Sequence, residues 1–306
     1  MSRDGLVRSL RVGVFARGLA MGAVETMPGV SGGTVAFITG IYDELVKSIA
    51  SFSGGSLSVL LRDGWSAFAR RHNLGFLGVL GLGMALSLVL FANLLEALLA
   101  SHEPYVMGFF FGLIAASVVY VGAQSSWRWL ASAGLAGLCL GVVVGVLVQA
   151  GGATSDSSTL AVFIAGALAA TAWILPGVSG AFVLVLLGLY EPMLAAVTDT
   201  DLTVLATFAA GMVVGLVLFS KGLAWLLGRA RAAVLAVLTG FMAGSLTKLW
   251  PWRDVAVEDT VVAGVVAATA MGVLAVALLA LLALGARRKR AAVDALRDPD
   301  QTEVNR

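Results

Sequence analysis

Long apolar runs punctuated by short charged breaks set the architecture of this chain. Uninterrupted apolar stretches extend over about Leu74 to Ala100, Tyr105 to Ala123 and Leu130 to Ala150, and again over Leu202 to Leu227, Ala232 to Leu249 and Thr260 to Leu284. Each is long enough to cross a hydrocarbon layer of ~30 Å as a helix. Ahead of each trio lies a pair of shorter apolar pieces, 17–27 with 33–50 and 160–175 with 181–197. The pattern predicts an all-α, polytopic membrane protein in two halves. Residues 1–150 form the first half, 151–285 the second, and 286–306 a basic, disordered tail.

The break inside each short pair has the same sequence. Pro-Gly-Val-Ser-Gly occurs at Pro28 to Gly32 and at Pro176 to Gly180, 148 positions apart (176 minus 28). The register continues through Val35 with Val183, Gly40 with Gly188, Tyr42 with Tyr190 and Asp43 with Glu191. Pro28, Pro176 and the glycines interrupt a helix and release backbone amides at the start of the next one. Such backbone is tolerated at membrane depth only when covered by protein or lining a wet cavity. Each short pair therefore reads as a re-entrant broken helix. Three crossings per half, an odd number, make the second half an inverted copy of the first.

Charge placement gives the same topology. With both termini cytoplasmic, the inner segments carry Arg3, Arg8, Arg11, Arg62, Arg70, Arg71, Arg128, Arg229, Arg231 and the cluster 287–290. The outer ones carry Glu103, Asp156, Asp199, Asp201, Asp254, Glu258 and Asp259, with Arg253 the lone loop base among them. This is the excess of Lys and Arg expected of the cytoplasmic loops of a multi-pass membrane protein. Between 52 and 73 the chain turns polar around Leu60, Leu61, Trp65 and Phe68, which predicts an amphipathic helix on the cytoplasmic surface. Composition agrees, with 59% hydrophobic and 12% charged residues. One cysteine and two histidines exclude a disulfide framework and a zinc or haem site. The chain has no Walker motif. The reading expects no cofactor, metal, nucleotide or nucleic acid, and leaves the oligomeric state open.

The chemistry expected of the loops is anion binding. Gly29, Ser31, Gly32, Gly33 and Thr34 in the first copy, and Gly177, Ser179 and Gly180 in the second, offer backbone amides and a hydroxyl at the positive end of a half-helix. A phosphate is the natural guest. The plainer alternative, helix bends for close packing, suits a single copy better than two in register. Arg17 and Glu25 flank the first copy, and ionisable groups at membrane depth point to function. Arg17 suits a phosphate, or a snorkel to the headgroups. Glu25 suits proton exchange. The second copy has Ala165 and Trp173 at the equivalent positions, so the site is asymmetric. Asp43 and Glu191 are gating candidates or boundary carboxylates. Lys248, beside Trp250 and Trp252, is a further phosphate candidate at the outer interface. Glycine pairs such as Gly108 with Gly112, Gly211 with Gly215 and Gly240 with Gly244 signal close helix packing.

Four segments in order, Met21 to Leu45, Pro104 to Ser117, Ile174 to Leu194 and Thr239 to Trp252, resemble the family once known only as domain of unknown function 368 and since assigned as polyprenyl-phosphate translocases. The resemblance covers about Val7 to Leu284. It implies a flippase that returns undecaprenyl phosphate, the carrier of wall precursors, to the inner leaflet of the bacterial plasma membrane. Members of that family often have Asp at the position of Glu25 and Ser at that of Ala181. The rival is an enzyme, since undecaprenyl-pyrophosphate phosphatases have a related loop with an arginine after the serine. Here Gly32 and Gly180 stand in that place, and the charge stabilisation that phosphoryl chemistry requires is missing. A permease for another anionic lipid or a small anion is the third reading.

Overall fold

The computed structural model describes residues 3–25, 27, 30–139, 143, 158–247, 249–252 and 259–297, and among them every regular element is helical. The first half contains α1 (Arg3–Glu25), α2 (Gly32–Ile38), α3 (Tyr42–Ala50), α4 (Ser56–Arg71), α5 (Leu74–Gly122) and α6 (Trp127–Trp129), followed by a π-helical turn at Leu130–Gly134. The second contains α7 (Thr159–Ile174), α8 (Gly180–Leu186), α9 (Tyr190–Thr198), α10 (Leu202–Arg229), α11 (Arg231–Ser245) and α12 (Asp259–Arg297).

Four segments are long and apolar enough to cross a bilayer: Leu74–Phe91, Leu94–Gly122, Leu202–Arg229 and Val261–Gly285. They coincide with four of the six expected crossings. Of the third, 130–150, only 130–139 and 143 lie within the described residues. The fifth is the 15-residue α11, about 22 Å long at 1.5 Å per residue and short of the layer on its own.

The first two crossings are joined without a loop. Straight, the 49 residues of α5 would run to about 74 Å, more than twice the hydrocarbon thickness. The helix breaks at His102 (φ −141°, ψ 31°), and Pro104 lacks the amide that would restore the ladder. Ala230, 128 positions on (230 minus 102), has nearly the same conformation (φ −141°, ψ 47°) between α10 and α11.

The repeat is visible in the packing. Helices α2 and α8, and α3 and α9, have equal lengths and bounds 148 apart (180 minus 32, 190 minus 42). Glycine brings α1 onto the first arm of α5, where Gly18 lies against the Leu80 carbonyl and Gly83 against that of Phe15. In the second half Gly166 lies against Phe208 and Gly211 against Phe163 in the crossing of α7 with α10. Gly18 to Gly166 is a step of 148, and Gly83 to Gly211 a step of 128. The difference of 20 is the α4 segment, which the second half lacks. Beyond this crossing the halves interlock. Gly112 and Gly272 bring the second arm of α5 onto α12 at Thr269 and Phe109, whereas Gly240 and Gly137 bring α11 onto 134–138 of the first half.

Two expectations change. Helix α1 extends back to Arg3, through the basic stretch. The tail expected to be disordered from 286 is helical as far as Arg297. Its Ala-rich sequence favours a helix, and Arg290 and Asp294 stand four residues apart with opposite charge.

The expected surface helix is α4, kinked at Gly64 (φ 78°), with Leu57, Leu61 and Trp65 exposed. It is anchored through His72, which is fully buried, stacks on Phe52 with ring centroids 4.2 Å apart and holds Ser51 Oγ at 2.7 Å from Nδ1. Burial, with Arg71 alongside, pushes the His72 pKa below the ordinary histidine value. The neutral ring is the folded form, so this anchorage is complete above the unfolded histidine pKa of about 6.5 and is lost as pH falls through the lower folded value. The protection of amides in 52–72, corrected for the intrinsic pH dependence of exchange, is expected to fall on acidification in the wild type and to lose that dependence in His72→Phe.

A Leu at Gly112, whose added carbon would meet the Thr269 carbonyl, is expected to lower unfolding stability by about 1–3 kcal/mol or more through overpacking. The same change at Gly78, which faces open space, is expected to be silent in the same thermal-unfolding assay.

Candidate functional site

The first loop closes on itself and on the second half. Helix α1 ends at Glu25, and Ser31, extended at φ −122° and ψ 139°, caps α2 by accepting the Gly33 amide at 3.1 Å. The Ser31 hydroxyl donates to the Trp173 carbonyl at the end of α7, also at 3.1 Å. The Gly32 amide donates to Glu25 Oε2 at 2.8 Å. The Glu25 carboxylate thus lies at the positive end of α2, on an amide a bound anion would use. The Trp173 indole is turned to the same carboxylate.

Backbones approach so closely here that side chains are excluded. A carbon added to Gly32 would lie 2.9 Å from Glu25 Oε2, and one on Gly33 2.5 Å from the Ile174 carbonyl. Ser31 and Thr34 are completely buried, and Thr34 Oγ1 has no hydrogen-bond partner among the described residues.

The second loop has the same backbone plan and a different environment. Gly177 adopts φ +82° against the backbone of Met242, 2.7 Å from where its side chain would begin, and only glycine meets both demands. Ser179 is the extended cap of α8 and makes no side-chain capping bond. Gly180 packs on the Ala169 carbonyl as Gly32 packs on that of Met21, again a step of 148 (169 minus 21). Pro176 is buried, whereas Gly177, Val178, Ser179 and Gly180 are half-buried. The position of Glu25 is taken by Trp173 (173 minus 25 is 148), so no carboxylate caps this copy from the equivalent place. Around the first loop Ser31 and Thr34 are buried and Ser31 caps α2; the second loop is half-buried, and its Ser179 makes no side-chain capping bond.

The expected site residues fall into three groups. Glu25, Ser31, Gly32, Gly33 and Thr34 come together, with Gly177, Ser179 and Gly180 in the loop that follows α7. Arg17 is not brought to Glu25: its Nη1 lies over Gly13, one turn nearer the N-terminus. Pro28, Gly29 and Lys248 lie outside the described residues. Asp43 forms a bidentate ion pair with Arg231 (2.8 and 2.9 Å) that ties α3 to the start of α11. Glu191 is exposed at the start of α9. The repeat-related partner of Arg231 is Glu103 (231 minus 103 is 128), so the equivalent pair would join two carboxylates. Sequence reasoning noted Trp173 only as the counterpart of Glu25 and missed that the two meet. It gave Arg231 no role beyond the charge bias.

Residues 21–267 match the family described as undecaprenyl phosphate translocase-like. The chain is 42% identical over 246 residues to the polyprenyl-phosphate transporter of Vibrio cholerae, covering 78% of each chain. It is 31% identical over 252 residues to that of Staphylococcus aureus, covering 77% of this chain and 84% of the relative. No solved structure matches it.

Because the Asp43 and Arg231 side chains are 40% and 48% exposed, their pairing adds little to global stability, about 1 kcal/mol at most. Its effect is local. Asp43→Arg is expected to raise amide exchange in α3 with little change in unfolding midpoint, and the exchanged pair Asp43→Arg with Arg231→Asp is expected to restore protection.

Proposed function

The chain belongs to the undecaprenyl phosphate translocase-like family, and on that premise we propose that it carries polyprenyl phosphate, undecaprenyl phosphate in the first instance, between the leaflets of the bacterial plasma membrane. The observation that carries this reading is the unequal pair of loops. Ser179 and Gly180 begin a half-helix whose first turn lacks a side-chain cap and is accessible, which suits a phosphate headgroup arriving from lipid. Ser31, Gly32, Gly33 and Thr34 offer a second set of donors, of which the Gly32 amide is held by the Glu25 carboxylate. A phosphate at this copy competes with Glu25 for the Gly32 amide. Protonation weakens the carboxylate as an acceptor and favours the substrate. Uptake and release of a proton at Glu25 are thereby linked to occupancy by phosphate.

We read the two halves as inverted repeats with discontinuous helices meeting between them, the plan on which secondary transporters place their substrates. Both termini are cytoplasmic in this reading. The recurrence of helix bounds and glycine contacts at steps of 148 and 128 supports it, as does the charge bias. The Asp43–Arg231 pair then acts as a latch at one end of the path, and Glu191 with Glu103 leaves the other end without an equivalent. Transport requires that the substrate distinguish the two states by affinity. Arg17 and Lys248 remain candidates for steering the headgroup at the two surfaces.

Hydrolysis is disfavoured on chemical grounds. Gly32 and Gly180 follow the two serines, and neither loop supplies the cation that a phosphoryl transition state requires.

Proteoliposomes loaded with labelled undecaprenyl phosphate test the proposal. Leaflet exchange without release of inorganic phosphate is expected for the wild type, and its loss in Ser31→Ala with Ser179→Ala. Glu25→Gln is expected to flatten the pH dependence of exchange. Phosphate release would make the protein an enzyme, and an unaltered pH profile in Glu25→Gln would remove the proton linkage.

A further inference from the structure

An apolar cavity of about 380 Å³ lies between α3 and α5 of the first half and α7 and α10 of the second. Its wall includes Leu45, Ile49, Met84, Leu216 and Trp173, and every lining residue is apolar. The volume falls within the range of small-molecule sites, about 300 to 1,000 Å³.

Trp173 joins this cavity to the loops. Its carbonyl accepts from Ser31, its indole is turned to Glu25, and its ring forms part of the cavity wall. A ligand with a charged head at the loops and an apolar body therefore has one continuous surface to follow. Gly81 adds a second sign of a binding surface. It lines the cavity in the middle of an apolar helix, is exposed, and a side chain built on it meets nothing within 4 Å. The glycines that serve helix crossing, such as Gly18 and Gly83 on either side of the α1 and α5 contact, all press on backbone. Gly81 presses on nothing, so its missing side chain leaves room in the cavity and does not serve a helix contact.

We propose that this cavity binds the head-proximal isoprene units of the polyprenyl chain, next to the phosphate site, with the remainder of the chain running out into lipid. The inference rests on the polyprenyl-phosphate reading above. The cavity is walled by both halves, so the bound tail wedges between them and senses their relative position. The site is one-sided, because the repeat-related place of Trp173 is held by Glu25, whose carboxylate does not suit an isoprenoid.

The test compares a long and a short ligand on the purified full chain in nanodiscs. Undecaprenyl phosphate and methyl phosphate, a short ligand with the head and no isoprene unit, are titrated against the wild type, Gly81→Phe, Gly81→Leu and Gly78→Phe. Gly81→Phe is expected to weaken the long-chain ligand about tenfold or more, a size typical of steric change in an apolar pocket, and to leave the short one unchanged. Gly81→Leu should fall between, and Gly78→Phe, on the same helix outside the cavity, should bind as wild type. Unchanged short-chain affinity shows that the variants are folded. Long-chain binding at wild-type strength in Gly81→Phe, or equal loss of both ligands, would overturn the assignment of the tail site. Failure of the wild type to bind undecaprenyl phosphate at all would overturn the transporter reading and this inference with it.

Discussion

The backbone between α1 and α2 leaves the helical ladder inside an apolar environment, and each amide or carbonyl freed there must find a partner or cost several kcal/mol. The rest of the arrangement follows from meeting that demand. Met27 and Val30 turn back onto Val24 and Met27, Glu25 receives the Gly32 amide, and the Ser31 hydroxyl takes the Trp173 carbonyl from the other half. Such bonds need backbones almost in contact, which explains why Gly32 and Gly33 admit no side chain. The same groups that satisfy the broken helix are those that would hold an anion. In the function proposed above, structural completion and ligand recognition draw on one set of donors.

The two copies of the loop motif differ at one telling position. Position for position, Glu25 faces its own counterpart Trp173, and this single difference makes one loop closed and the other open. It also gives the neighbourhood two chemical faces, a carboxylate with amides on one side and an aromatic ring over an apolar cavity on the other. An amphipathic lipid presents the same two faces.

Much of this was legible in the sequence. The doubled Pro-Gly-Val-Ser-Gly motif located the two helix breaks that precede α2 and α8, because proline cannot continue a helix ladder. Hydropathy located the long crossings, because burial of some twenty apolar residues leaves few alternatives. The bend at His102 was less visible: the polar break between Ala100 and Tyr105 implied a loop, where the helix instead continues through a kink. The contacts of Trp173 and Arg231 were not legible. Register says which residues are equivalent and not which ones touch, and a tryptophan in an apolar run has many ordinary explanations. The helical extension to Arg297 was missed because charge was weighed above the helix propensity of its alanines.

The exchange of helices between the halves also bears on synthesis. At Gly112 and Phe109 the second arm of α5 is matched to Thr269 and Gly272 of α12, which begins at Asp259. Since chains are made from the N-terminus at about 5–20 residues per second, this face of the second arm has no matched neighbour until α12 has been translated. Helix α12 is therefore also a keystone, and a ribosome that stalls before Asp259 leaves Gly112 without the backbone it is shaped to meet.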